Sequence, residues 1–296
     1  MTSRQRADLL LVARGLFDSR AKAQAAIAAG RVTADGATVR KPSEEIARDA
    51  AIKAEPAFPW VSRGGVKLAH ALDRLAIDVT DRVCLDVGAS TGGFTEVLLA
   101  RGARRVFAVD VGRDQLHARL RGRPDVVSLE ETDIRALDAA RLQSVCEVST
   151  VPALPLPLLQ GERVGVRGPI REHGVCGSAP HPDPLPAKSG ERERGHLPSL
   201  VTIDASFISL KQVLPAALAL AAPRAQLVAL IKPQFETGER RALKKGIVRD
   251  PAVHAAVCAD VAAFVAGLGW AVDAPFSSPI AGHDGNREFF IGARRG

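Results

Sequence analysis

The apolar positions of the chain fall into zones of different period. Leu9, Leu10 and Val12 form a short run that stops at Gly15. Ser19 then predicts a helix cap, and Ala23, Ala26 and Ile27 recur at helical spacing until Gly30 ends the pattern. Residues 31–34 and 37–40 predict two short strands joined by Asp35-Gly36, a dipeptide suited to a two-residue hairpin turn. Residues 1–55 therefore read as a small unit of their own. Pro56 and Pro59 stiffen a linker over about 56–61 that carries Trp60.

From residue 62 to 296 strands and helices alternate. Strands are expected at 83–87, 105–109, 200–203, 227–231, 270–272 and 287–291. Helices are expected at 92–101 and 114–120, between the strands at 200–203 and 227–231, and at 250–267. Such alternation predicts an α/β domain, a Rossmann-like doubly wound sheet covered by helices. One stretch, about 149–197, breaks the pattern. It holds eight of the chain's 19 prolines, lacks a period of 2 or 3.6, and echoes itself in 156–163 and 185–192. We read it as a disordered surface insertion, because a structureless loop of that length is unusual inside a compact domain.

Composition narrows the classes. Of 296 residues 46% are apolar, enough for a sizeable core. Lys and Arg number 40 against 33 Asp and Glu. Residues 1–54 carry ten basic and six acidic side chains, a net of +4 out of +7 for the whole chain. That concentration favours a polyanionic partner for the N-terminal unit. Cys84, Cys146, Cys176 and Cys258 are far apart and form no metal-ligand spacing, so neither a disulfide framework nor a metal site is expected. No apolar run approaches the ~18 residues of a membrane span, and no targeting segment is evident. A cytoplasmic protein without a membrane role is expected.

The strongest chemical signal is residues 84–94, Cys-Leu-Asp-Val-Gly-Ala-Ser-Thr-Gly-Gly-Phe. A strand ends in an acidic residue, and a glycine-rich turn then enters a helix. Glycine allows close backbone approach to a ligand, and the helix start offers free N–H groups. Asp110 follows the next strand, where a carboxylate suits the two hydroxyls of a ribose. Nucleotide binding accounts for this arrangement. Gly88-Ala89-Ser90-Thr91-Gly92 also matches a hydrolase nucleophile elbow around Ser90, with Asp204 and His283 following in the order of that fold. Against it, little chain precedes the strand at 83–87 to supply an oxyanion loop. Asp204 and Lys232 end apolar strands, where open α/β sheets bind ligands, and Lys67 and Glu288 complete a scattered set of candidates.

Taken together, these residues resemble the TlyA (hemolysin A) family, in which an S4 RNA-binding domain is fused to an FtsJ-like methyltransferase. The likeness to S4 lies in Arg6-Ala7-Asp8-Leu9-Leu10, Ser19-Arg20 and residues 27–32. The likeness to the catalytic domain lies in Ser62-Arg63-Gly64-Gly65 and in residues 86–95, 203–210, 231–236 and 285–288. The resemblance implies S-adenosylmethionine (S-adenosyl-L-methionine) as cofactor and 2′-O-methylation of cytidine in ribosomal RNA. It implies a catalytic set of Lys67, Asp204, Lys232 and Glu288, and cofactor contacts from Asp86, Gly88, Ser90, Gly92, Gly93, Phe94, Asp110 and Asp133. The family more often has Asn where this chain has Asp133. RNA contacts are expected from Arg4, Arg6, Ser19, Arg20, Lys22, Arg31, Lys41 and Arg63. The protein is expected to act as a monomer on ribosomal RNA or ribosomal subunits, without a metal. The alternatives are a non-catalytic S4-type RNA-binding assembly factor and a haemolysin, the latter weakened by the lack of a spanning segment.

Overall fold

A computed structural model describes residues 3–148, 197–238, 246–282 and 285–296. The expected insertion at 149–197 thus lies outside the described residues except for Leu197. The N-terminal unit comprises β1 (Arg4–Arg6), α1 (Ala7–Ala13), α2 (Arg20–Ala28), β2 (Val32–Ala34), β3 (Ala37–Thr38), β4 (Glu45–Ala47) and β5 (Ile52–Ala54). β1 pairs with β4, and β2 lies between β3 and β5. Asp35 and Gly36 both take positive φ, 49° and 82°, as a type I′ hairpin requires. Leu10, Leu11, Phe17, Ala23, Ala26, Ile27 and Val32 form a core separate from that of the larger domain. One charge is buried in this unit. Asp8 has no exposed surface and accepts hydrogen bonds from Arg6, Arg20 and Gln24 at 2.9–3.1 Å. The Arg6 hydrogen bonds, first among these, hold its carboxyl well below the usual range.

The larger domain begins with α3 (Arg63–Arg74). It continues through β6 (Val83–Val87), α4 (Gly93–Ala100), β7 (Arg105–Val109), β8 (Val126–Leu129) and α5 (Ala139–Val148). After the undescribed segment come β9 (Leu200–Ile203), α6 (Leu210–Ala219), β10 (Gln226–Ile231), α7 (Pro233–Glu236) and α8 (Pro251–Gly267). β11 (Ala271–Val272), β12 (Phe276–Ser277) and β13 (Phe289–Arg294) complete it. The sheet runs β11-β13-β10-β9-β6-β7-β8, with β12 also on β13. β6 to β10 are mutually parallel, and β13 is antiparallel to β10. Strand alternation sorts the core onto two faces. Leu85, Val201 and Ala229 pack with α6 and α8, whereas Cys84, Leu200 and Val228 pack with α3 and α4.

The expected helix at 114–120 does not form. Leu116 and Leu120 are buried at helical spacing, but the backbone is used otherwise. Asp114 takes φ 53°, the amides of Gln115 and Leu116 donate to Glu130, and that of His117 donates to the Thr91 carbonyl. β8, α3, α5 and β12 lie outside the expected elements. Their apolar positions are few or interrupted by charge.

The linker is pinned to α3. A Cβ on Gly65 would come within 2.3 Å of Trp60 Cγ, so the first turn of the helix fits the indole only without a side chain. Gly65→Ala should therefore destabilise the chain by about 1–3 kcal/mol through overpacking. Urea titration of both proteins checks this; equal midpoints would count against the contact.

Candidate active site at the carboxyl end of the sheet

The strand order reverses between β6 and β9. The chain leaves these neighbours towards opposite helix layers and opens a crevice at their carboxyl ends. A cavity of about 510 Å³ fills it, within the range of small-molecule sites. Gly88, Ser90, Asp110, Asp133 and Asp204 line it, with Val111, Gln115, Arg135, Ser206 and Phe207. Gly88 has φ 81°, and a Cβ there would meet the Asp204 carbonyl oxygen at 2.8 Å. Only glycine lets the two strand ends approach so closely. Asp110 stands beside this turn and accepts from the amides of Ser90 (2.8 Å) and Gly112 (2.7 Å). Asp133 is held by Arg135 at 2.6 Å, which lowers its pKa.

Two buried ion pairs stand at the same end of the sheet. Lys67 Nζ lies 2.5 Å from Glu288 Oε2, and Lys232 Nζ lies 2.6 Å from Asp204 Oδ1. Lys67, Lys232 and Glu288 are each more than nine-tenths buried. The ladder between β10 and β13 ends at Ile231 opposite Phe289. Lys232 follows and Glu288 precedes that last pair, so both ion pairs stand at this end of the sheet. Sequence reasoning missed several residues here. Ser206 Oγ accepts from Lys232 at 2.6 Å. Phe207 is 91% exposed with φ 64°, its ring 5.2 Å from that of Phe235. Glu236 accepts from Ser209 Oγ and the Leu210 amide, and burial raises its pKa. The run from Asp204 to Ser209 pointed to this loop; nothing in it distinguished an exposed phenylalanine from a core one.

The sequence pattern of FtsJ-like methyltransferases matches residues 60–295, and that of the S4 domain matches residues 5–52. The chain belongs to the FtsJ-like methyltransferase family. It is 38% identical over 296 residues to the 16S/23S rRNA (cytidine-2′-O)-methyltransferase TlyA of Mycobacterium tuberculosis, covering 99% of this chain and 91% of the relative. It is 30% identical over 284 residues to Hemolysin A of Brachyspira hyodysenteriae, covering 96% and 97%. A solved structure from Streptococcus thermophilus, named as a hemolysin, matches with TM-score 0.64 at 33% identity, covering 100% of this chain and 90% of that one. No helix among the described residues is long and apolar enough to cross a membrane, and they hold no cluster of metal-ligating side chains.

Four residues expected at the cofactor of this FtsJ-like methyltransferase do not line the cavity. Asp86 is fully buried beneath the turn and accepts from Thr95 Oγ1 (2.7 Å) and Thr202 Oγ1 (3.1 Å). It ties β6 to β9 and α4. Gly92 gives way to Leu116 and Leu120, and a Cβ on Gly93 would strike Ser62 Oγ at 2.1 Å. Phe94 stacks on Phe290 at 6.5 Å. These three shape the packing of α4 on its surroundings. The Asp204 carboxylate contacts a lysine, which counts against the nucleophile-elbow reading; the His283 of that reading lies outside the described residues.

The residues expected at RNA are partly engaged within the chain. Arg6 and Arg20 share Asp8, Lys22 pairs with Asp18 (2.7 Å), and Arg31 pairs with Glu55 (3.1 Å). Arg4 donates to the Glu45 carbonyl and Arg63 to that of Ala281. Ser19 caps α2 by accepting from the Lys22 amide. The side chains of Arg6, Arg20 and Arg31 remain 43–57% exposed, and Lys41 is exposed.

Burial, the largest cause, pushes the Asp86 carboxyl up to about 7 against hydrogen bonds from Thr95 and Thr202 that lower it. The folded chain therefore keeps this proton over a range in which the unfolded chain has lost it. Stability from this group is full below about pH 4 and falls as pH rises towards 7. Asp86→Asn should remove that dependence, so the stability difference between the two proteins should shift by a few kcal/mol in favour of the variant over this range. Urea midpoints measured from pH 4 to 8 test this; a constant difference would contradict it.

Proposed function

We propose that this methyltransferase transfers a methyl group from S-adenosylmethionine to the ribose 2′-hydroxyl of cytidine in ribosomal RNA. On this reading residues 1–55 bind RNA, 56–61 link, and 62–296 catalyse, acting as a monomer in the cytoplasm. The observation that carries it is the pairing of two buried lysine–carboxylate contacts with a nucleoside-sized cavity at the sheet's switch point. The cavity suits the cofactor on its own terms. The Asp110 carboxylate is held by two amides and keeps lone pairs for ribose hydroxyls, and the bare Gly88 backbone permits close approach. Asp133 and Arg135 also line the cavity, and on this reading they would stand beside the adenine.

When bound, the cofactor supplies a methyl group on a positively charged sulfur. On this reading Lys232 would take the proton of the 2′-hydroxyl, the oxygen's electron pair would form the new bond to the methyl carbon, and the carbon–sulfur bond would break with its electron pair returning to sulfur. Asp204 balances the ammonium that results, and Glu288 fixes Lys67, which orients the hydroxyl. Much of the rate gain comes from alignment of the groups. The exposed ring of Phe207 offers a stacking face for an unstacked base. The 38% identity to an rRNA (cytidine-2′-O)-methyltransferase supports the substrate assignment.

The test is incubation of the full chain with radiolabelled S-adenosylmethionine and unmodified ribosomal subunits, followed by mapping of the label. Lys232→Ala should abolish labelling while leaving cofactor affinity largely intact; retained activity would remove this lysine from the reaction. Deleting residues 1–55 should weaken RNA binding and flatten its dependence on salt, because phosphate contacts release counterions. An unchanged salt slope would show that RNA affinity resides elsewhere.

A further inference from the structure

Among the described residues three oxygens lie near Lys232 Nζ, and they differ in kind. Ser206 Oγ accepts a short, directed hydrogen bond at 2.6 Å. Asp204 Oδ1 is equally near, but this buried oxygen makes no directed hydrogen bond, so the contact is one of charge. The Asp204 carbonyl oxygen, at 3.4 Å, is too distant to hold the amine firmly. Asp204 thus supplies the field and Ser206 the direction. A lysine amine ends a flexible four-carbon stem and rotates freely unless one of its N–H bonds is fixed. With one N–H held by the serine and the carboxylate on another side, the remaining tetrahedral position of the nitrogen is set.

Ser206 is itself held in place. It belongs to the segment 204–209 after β9, which meets the segment 232–236 after β10 at both ends. Lys232 grips the first end. Glu236 grips the other, accepting from Ser209 Oγ at 2.6 Å and from the Leu210 amide at 2.7 Å. Phe207 and Phe235 meet between them. The hydroxyl is therefore fixed relative to both strand ends, and Ser206 also lines the cavity.

We propose that Ser206 is a positioning residue for Lys232, its hydroxyl setting the direction from which the amine nitrogen meets the ribose hydroxyl. This rests on the methyl-transfer reading above. The serine touches no reacting atom and adds no charge, so its effect belongs to the rate of the chemical step and not to the binding of either partner.

The experiment compares the full chain with Ser206→Ala, Ser206→Thr and Lys232→Ala, measuring kcat and KM on ribosomal subunits and S-adenosylmethionine affinity by calorimetry. Ser206→Ala should lower kcat by about 10- to 100-fold, as expected for a misaimed catalytic group, with KM and cofactor Kd changed by less than about twofold. Ser206→Thr keeps the Oγ and should restore most of the loss. Three results would overturn the proposal: unchanged kcat in Ser206→Ala, equal impairment of both serine variants with cofactor affinity intact, or loss of cofactor affinity in step with activity. If the wild-type chain labels no RNA, the methyl-transfer reading falls and takes this inference with it. If wild type and Lys232→Ala behave as expected beside an unimpaired Ser206→Ala, this inference falls alone.

Discussion

The parallel pairing of β6 with β9 is the contact on which the rest of the site depends. These strands are 116 residues apart at their facing positions Val87 and Ile203, yet they lie side by side at the centre of the sheet. Their successors, the glycine turn and the loop bearing Asp204, part towards different helix layers, and the cavity is the space between them. Two devices hold the parting tight. Above, Gly88 lets the turn rest on the Asp204 carbonyl. Below, Asp86 accepts from Thr202 across the strands and from Thr95 at the start of α4. An acid with no exposed surface is costly unless its oxygens are bonded, and here hydroxyl donors from both neighbours meet it.

Buried charge is used in two ways in this chain. In the N-terminal unit one buried acid, Asp8, gathers two half-exposed guanidinium groups and keeps them at the surface. In the larger domain each acid meets a lysine that is itself buried; Glu288 is withdrawn from water with its partner, whereas Asp204 keeps part of its surface on the cavity. Such pairs add little net stability, because desolvation offsets the attraction, but removing one partner strands the other. Their value lies in fixing where a charge and its counter-charge stand. Arginine, always charged, suits the first use. Lysine, which can lose its proton, suits the second.

Much of this was legible in the sequence because it follows from local rules. The hairpin at Asp35-Gly36, the cap at Ser19 and the strands β6, β7, β9 and β10 follow from turn chemistry and apolar runs. Asp204 and Lys232 could be singled out because strand ends in such sheets face the crevice. What could not be read depends on contacts distant in sequence. Leu116 and Leu120 have helical spacing, but Glu130 and Thr91 claim the backbone around them. Asp86 sits in the motif expected to touch cofactor, yet its partners Thr95 and Thr202 turn it inward. Ser206 looked like any loop serine until Lys232, 26 residues later, was placed beside it.

The direction of β9 also decides where the chain tolerates growth. α5 ends at Val148, and β9 begins at Leu200, so the described chain resumes at the amino edge of the sheet. From that junction to Asp204 the strand advances by roughly 13 Å, at about 3.3 Å per residue. Extra sequence can therefore be accepted at one rim of the fold while the opposite rim, where the lysines stand, keeps its spacing. Parallel strands give an evolving enzyme two rims with unequal freedom, one to be elaborated and one to be conserved in shape.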